Sequence, residues 1–182
     1  TNTSTCSDTF FLNTIENWIS PVSTISAQNY SGCEPFSTQF SIQSNATISN
    51  VDWDFGVGSI INSIYDTISY TYSLNGIHNV STLVTFSNGC NAQVDLLQPI
   101  TINPAPIANY SFSDSSGCAP LTVQFQSSTN QGNSVVWNFG DGDSSLVSQG
   151  SPSHTYLTNG LFFPQLTVTD PIGCSSTYTL DT

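Results

Sequence analysis

One hexapeptide occurs twice in this chain at a fixed distance, and its neighbours return with it. Trp53-Asp54-Phe55-Gly56-Val57-Gly58 recurs as Trp137-Asn138-Phe139-Gly140-Asp141-Gly142, 84 residues on. Ser69-Tyr70-Thr71-Tyr72 recurs as Ser153-His154-Thr155-Tyr156, Asn75-Gly76 as Asn159-Gly160, and Gly89-Cys90 as Gly173-Cys174, all at the same spacing. Ser31-Gly32-Cys33-Glu34-Pro35 recurs as Ser116-Gly117-Cys118-Ala119-Pro120 with a shift of 85, one inserted residue. Several anchors in one register mean a duplicated unit of small-domain size.

The repeat also sets the boundaries. Cys6 lies 84 residues before Cys90, and the residues after it match those after Cys174. The segment 1–21 therefore reads as the last strand of a preceding, truncated repeat. A full repeat over 22–104 and a second over 105–182 follow, the second short of the segment that matches Gln98 to Asn103. Pro21 and Asn103-Pro104-Ala105-Pro106 mark the joins, and such short Pro-containing links couple domains semi-rigidly.

Within a repeat the apolar residues alternate. Leu121, Val123 and Phe125 interleave with Thr122, Gln124 and Gln126, and Leu166 and Val168 with Thr167 and Thr169. Period two over short runs between turn residues is the pattern of half-buried antiparallel strands. No segment reads as a helix. The expected fold class is all-β: tandem immunoglobulin-like β-sandwiches.

Charge removes several functions. The chain has 12 acidic residues and no Lys or Arg. Phosphate backbones and anionic lipid surfaces are held by Lys and Arg, so neither nucleic acid nor a membrane surface is an expected partner. No apolar run is long enough for membrane insertion. The polar surface is mostly neutral, from 30 Ser, 22 Thr and 17 Asn. It offers trypsin-like proteases nothing to cut.

Cysteine spacing follows the repeat. Cys33 and Cys90 lie in one copy, 57 apart, and Cys118 and Cys174 in the next, 56 apart. Disulfides Cys33–Cys90 and Cys118–Cys174 are expected, with Cys6 left for a partner in the missing copy. Cystines place the protein in an oxidising compartment outside the cytoplasm. A structural zinc site is disfavoured, because no C-x-x-C spacing exists and only two histidines are present.

The hexapeptide has a mechanical reading. Trp53 and Trp137 are the core anchors, and Trp and Phe of each copy are expected on opposite faces of their strand. Gly56 and Gly140 admit backbone angles that a side chain forbids. Asp141-Gly142 is a tight-turn dipeptide. Tyr72 and Tyr156 are expected to tie a loop corner through their hydroxyls.

On these residues, and on Leu166-Thr167-Val168-Thr169-Asp170, the sequence resembles the PKD (polycystic kidney disease) domain. The resemblance covers nearly the whole chain in two copies plus a tail. It implies an immunoglobulin-like sandwich used outside the cell as a spacer, adhesion or polysaccharide-associated module. The added Ser-Gly-Cys-x-Pro and Gly-Cys elements resemble the version found in giant surface adhesins of gliding, type 9-secreting bacteria. The first copy departs from the pattern: Val57 stands for the usual Asp and Tyr70 for the usual His.

No catalytic residue is expected. His78 and His154 fall in different registers of the repeat, and His78 matches Phe162, a packing position. No cofactor is required, with calcium the one candidate, at Asp141 and Asp143, since Asp114 and Asp170 add further carboxylates. Asp66-Thr67-Ile68 resembles an O-glycosylation motif of the same bacteria, which makes Thr67 a candidate glycan site. Phe10, Phe11, Trp18, Phe162 and Phe163 are candidates for stacking on sugars. The expected function is a structural or adhesive stalk or filament of a long cell-surface protein. Its partners are neighbouring repeats, other copies, or an extracellular polysaccharide or surface. A carbohydrate-binding module and a non-catalytic spacer of a secreted hydrolase are the alternatives.

Overall fold

A computed structural model of the chain describes residues 4–5, 21–129, 134–147 and 151–180. All regular structure among them is strand. The chain divides into two compact units, Thr1–Asn103 and Pro104–Thr182, and the division falls in the Asn103-Pro104-Ala105-Pro106 join.

The first unit holds β1 (Ser4–Thr5), β2 (Ser23–Ala27), β3 (Ser31–Cys33), β4 (Phe36–Ser44), β5 (Ile48–Asp54), β6 (Ile60–Ser63), β7 (Thr67–Tyr72), β8 (Gly76–His78), β9 (Ser81–Phe86), β10 (Asn91–Asp95) and β11 (Ile100–Asn103). One sheet has the order β1-β10-β9-β5-β6, a second β2-β4-β7, and a third β3-β11-β8. The alternation read from sequence is the burial pattern. Val51, Trp53, Val84 and Phe86 of one sheet and Phe40, Ile42 and Tyr72 of another are buried in one core. Their strand neighbours carry Ser, Thr, Gln and Asp outward. Burial of alternate apolar residues also fixes register, because a one-residue slip would turn each strand inside out. β1 pairs its backbone with Asn91–Ala92 of β10. Cys6, Phe10, Phe11 and Trp18 lie outside the described residues.

The second unit holds β12 (Tyr110–Phe112), β13 (Leu121–Ser127), β14 (Ser134–Asn138), β15 (Ser144–Val147), β16 (Ser153–Tyr156), β17 (Gln165–Thr169) and β18 (Ser175–Thr179). Its sheets have the orders β15-β14-β17-β18 and β12-β13-β16. Register repeats along with sequence: Val51 faces Val84 and Trp53 faces Thr82, as Val135 faces Val168 and Trp137 faces Leu166. Each unit is an immunoglobulin-like β-sandwich around its own core.

Two expectations are corrected here. Trp and Phe of the motif do not face opposite ways. Residues two apart share a face of a strand, and Trp53, Phe55, Trp137 and Phe139 are all buried. Their rings lie nearly parallel, 5.9 Å apart in the first unit and 6.3 Å in the second.

The cysteine pairing also differs. Cys118 is an exposed free thiol while Cys174 is disulfide-bonded, so the expected Cys118–Cys174 bridge does not form. Strand direction explains why. Cys118 precedes Leu121, which faces Tyr156 at the Phe139 end of the sandwich. Cys174 sits in the β17–β18 turn at the other end, where Thr169 faces Ser175. In the first unit Cys90 precedes β10, and Cys33 lies beside Asn103 at the far end of β11. β11 pairs with β8 as β10 pairs with β9, so the two strands run on without reversal. At ~3.3 Å per residue the extended path from Cys90 to Asn103 spans roughly 40 Å along the chain, whereas bridged Cα atoms lie within about 7 Å. Cys33 is disulfide-bonded, but the strand path does not allow the expected bond to Cys90.

Candidate functional site

The repeated motif builds one corner in each unit. In the second, β14 delivers Trp137 and Asn138 and then stops at Phe139-Gly140. Asn138 Oδ1 accepts the Gly140 N–H at 3.0 Å, as Asp54 Oδ1 accepts the Gly56 N–H at 2.8 Å. Asp and Asn alternate at this position because both close the same side-chain turn. Gly140 has φ of 83°, and a Cβ there would stand 2.9 Å from the Phe163 backbone nitrogen. Gly56 repeats this with φ of 75° and the Asn79 carbonyl oxygen at 2.7 Å. Conformation and space both demand glycine.

A column of rings stands on this corner. His154 lies flat on Phe139, centroids 4.1 Å apart at 2°, and meets Tyr156 edge-on. Tyr156 then stacks on Phe162 at 4.4 Å. In the first unit Tyr70 takes the place of His154, 4.1 Å from Phe55, and Tyr72 meets His78 at 4.6 Å. His78 is thus the counterpart of Phe162 in packing as in sequence. The Tyr156 hydroxyl donates to the Phe139 carbonyl at 3.0 Å, and that of Tyr72 to the Phe55 carbonyl at 3.3 Å. These are the corner ties that the tyrosines were expected to form. Burial, with a smaller push from Asp141, raises the Tyr156 hydroxyl pKa to about 12. Burial, with Tyr70 and Asp54 adding, raises that of Tyr72 further.

Tyr156→Phe tests the tie. Losing the hydroxyl leaves the Phe139 carbonyl unpaired and is expected to cost about 1–2 kcal/mol in urea unfolding at neutral pH. The alkaline limb carries a second signature. A folded-state pKa above the unfolded value stabilises fully below about pH 10 and is lost as pH rises toward 12. The variant is expected to lose less stability over that window than the parent.

The second unit adds a hydrogen-bonded clasp that sequence reasoning missed. His154 Nε2–H donates to Asp141 Oδ2 at 2.7 Å, and the Asp143 N–H donates to Asp141 Oδ1 at 3.1 Å. Burial acts to raise the Asp141 pKa, but the hydrogen bond from His154, helped by that from Asp143, holds it below the ordinary value. The signal was present in the repeat: Val57 and Tyr70 replace Asp141 and His154 together. The tyrosine keeps the stack and the clasp disappears. Asp141→Asn is expected to cost about 0.5–1 kcal/mol at pH 7. The depressed pKa gives a stabilisation present above about pH 4 and lost as pH falls through the folded value, so parent and variant curves should converge in acid.

Asp141, Asp143 and His154 also bring one potential ligand atom each to within 4.8 Å of one another. That is two carboxylates and an imidazole, whereas Ca²⁺ takes six to eight oxygens. Both Asp141 oxygens already accept hydrogen bonds. Asp170 caps the β17–β18 turn, its Oδ1 accepting from the Ile172 and Cys174 N–H groups. Thr67 is exposed at the start of β7. Phe162 is half-buried in the ring column, and Phe163 is half exposed.

Residues 103–182 match the PKD domain family. No curated protein matches the chain. Among solved structures it is similar to the fibronectin(III)-like modules of Clostridium thermocellum CbhA at 11% identity, covering 86% of this chain and 91% of that one, with a TM-score of 0.41. A carbohydrate-binding module of the β-sandwich superfamily aligns at 20% identity over 84% of this chain and 55% of its own, TM-score 0.44. A C-terminal 282-residue fragment of intimin aligns at 13% identity over 90% of this chain and 64% of its own, TM-score 0.44. The chain spans only a little over half the length of the second of these. The sandwich fold, the ring column and the family match fall in the same residues, and the second unit is similar to a PKD domain.

Proposed function

We propose that this chain is a non-enzymatic mechanical segment of a long extracellular protein, a stalk or filament of a surface adhesin of the kind made by gliding bacteria. The observation that carries the reading is the duplicated corner. Two units use the same strand register, the same paired Trp and Phe, the same tyrosine tie and the same obligatory glycine, while the Asp141–His154 pair at that corner is exchanged for Val57 and Tyr70. What is kept is packing, and what varies is titratable. That Cys33 and Cys174 are disulfide-bonded suits an oxidising, extracellular setting. A surface without Lys or Arg suits exposure to proteases.

Single-molecule pulling of the chain in reductant tests this. The expected trace has two unfolding events, each releasing on the order of 25–30 nm for about 80 residues at ~3.5 Å each. A single gradual extension, or turnover of polysaccharide or peptide substrates by the purified chain, would contradict it. The clasp is structural in this reading, so calcium is expected to leave the melting temperature unchanged and chelator likewise. A rise with calcium that Asp143→Asn abolishes would restore the metal site.

A further inference from the structure

Asparagine is followed by glycine at Asn75, Asn88 and Asn159. In such a pair the glycine nitrogen can attack the asparagine side-chain carbonyl carbon, because no Cβ shields it. Whether it does so in the folded protein depends on what holds the two groups. The first unit holds its two pairs in opposite ways.

Asn88-Gly89 lies in the exposed turn between β9 and β10. Asn88 Oδ1 accepts the Cys90 N–H at 3.1 Å, which folds the side chain back over the Gly89 peptide. The same N–H polarises the side-chain carbonyl and gives a developing oxyanion a donor. A Cβ built on Gly89 would meet nothing within 4 Å, so the turn is open to water and hydroxide. One neutral hydrogen bond, from the Gly89 N–H to the Phe86 carbonyl at 3.0 Å, restrains the nucleophile.

Asn75-Gly76 is clamped instead. Glu34 Oε2 accepts the Asn75 N–H at 2.7 Å and an Asn75 Nδ2–H at 3.0 Å. The carboxylate holds the leaving amide in place and repels the negative charge that attack would create. Gly76 is set in β8 opposite Ile102 of β11.

We infer that Asn88 is a self-modification site, converted in the folded chain to an acidic residue while Asn75 is spared. The Gly89 nitrogen loses its proton to hydroxide and bonds to Asn88 Cγ. The Cγ–Nδ2 bond breaks, the leaving nitrogen takes a proton from water, and ammonia departs. Water then opens the succinimide at either carbonyl, which leaves aspartate, or isoaspartate with the main chain routed through the side chain. The aspartate product has a counterpart in the second unit, where the Asp170 carboxylate accepts the Cys174 N–H at 2.8 Å. An aspartate at 88 gives the Cys90 N–H the same charged acceptor and tightens the turn. Isoaspartate adds a backbone atom to the turn and loosens it. The chemistry is independent of the stalk reading, since it needs only the first unit and water.

The test ages the intact chain at mildly alkaline pH in heavy-oxygen water and maps the label by peptide mass spectrometry. In the folded chain the label is expected at Asn88 about tenfold faster than at Asn75, the ratio that ~1.4 kcal/mol between two barriers produces. In urea, where both arrangements are lost, the two rates are expected to converge. Glu34→Gln is expected to speed Asn75 in the folded chain and leave Asn88 unchanged. Asn88→Asp is expected to raise the first unit's urea midpoint. Equal rates at Asn75 and Asn88 in the folded chain, or a faster rate at Asn75, overturn the proposal. Persistence of the difference in urea overturns it as well, because the neighbouring sequence and not the fold would then set the rates. A lower midpoint for Asn88→Asp overturns the tightened turn.

Discussion

Trp137→Ala is expected to unfold the second unit under conditions in which the first remains folded. The indole is fully buried and packs on Phe125 and Tyr110, each with ring centroids 5.2 Å away, and on Phe139. Truncating such a residue removes its apolar burial and leaves a cavity that strand ladders cannot collapse to fill. The usual cost is about 3–5 kcal/mol, comparable with the low end of total stability for a small domain. Calorimetry of the variant should show one transition near the parental position and one lost or strongly lowered. Trp53→Ala should give the mirror result. A cost below about 1 kcal/mol would mean that the indole is not the centre of the core.

Gly56→Ala should be nearly as damaging, and Gly58→Ala should not. Both glycines have positive φ, 75° and 81°. A side chain in that region costs about 1–2 kcal/mol of strain at either position. Only Gly56 also meets a wall: its Cβ would stand 2.7 Å from the Asn79 carbonyl oxygen and 3.0 Å from the Asn79 nitrogen, whereas Gly58 has nothing within 4 Å. Backbone atoms cannot swing aside as a side chain can. Gly56→Ala is therefore expected to cost roughly 2–4 kcal/mol, once strain and the displaced β8–β9 link are combined. Gly140→Ala and Gly142→Ala should repeat the contrast against Phe163. Urea unfolding of the four variants reads it directly. Equal losses within each pair would show that conformation alone sets the requirement.

Much of this architecture is legible in the sequence, because it rests on period-two burial and on one repeated corner. Leu121, Val123 and Phe125 alternate with polar residues, and that alternation fixes which face of β13 is core. The tyrosine ties follow from a large polar-tipped ring placed before an Asn-Gly turn. The cysteine pairing is not legible in the same way. Spacing along the chain says that Cys33 and Cys90 recur together, but which end of a sandwich each occupies depends on strand direction. The clasp is hidden for another reason. Asp141 and His154 are brought together by the pairing of β16 with β13 and by the stack on Phe139, and neither contact has a local sequence signature. Their joint replacement by Val57 and Tyr70 is the trace it leaves.

Residue-resolved amide hydrogen exchange on the intact chain bears most directly on the claim that two like sandwiches are each centred on a buried Trp–Phe pair. The slowest amides should fall in β5 and β9 of the first unit and in β14 and β17 of the second, with Val51 and Val84 as protected as Val135 and Val168. Protection confined to one unit, or strongest in the edge strands β6 and β15, would contradict it.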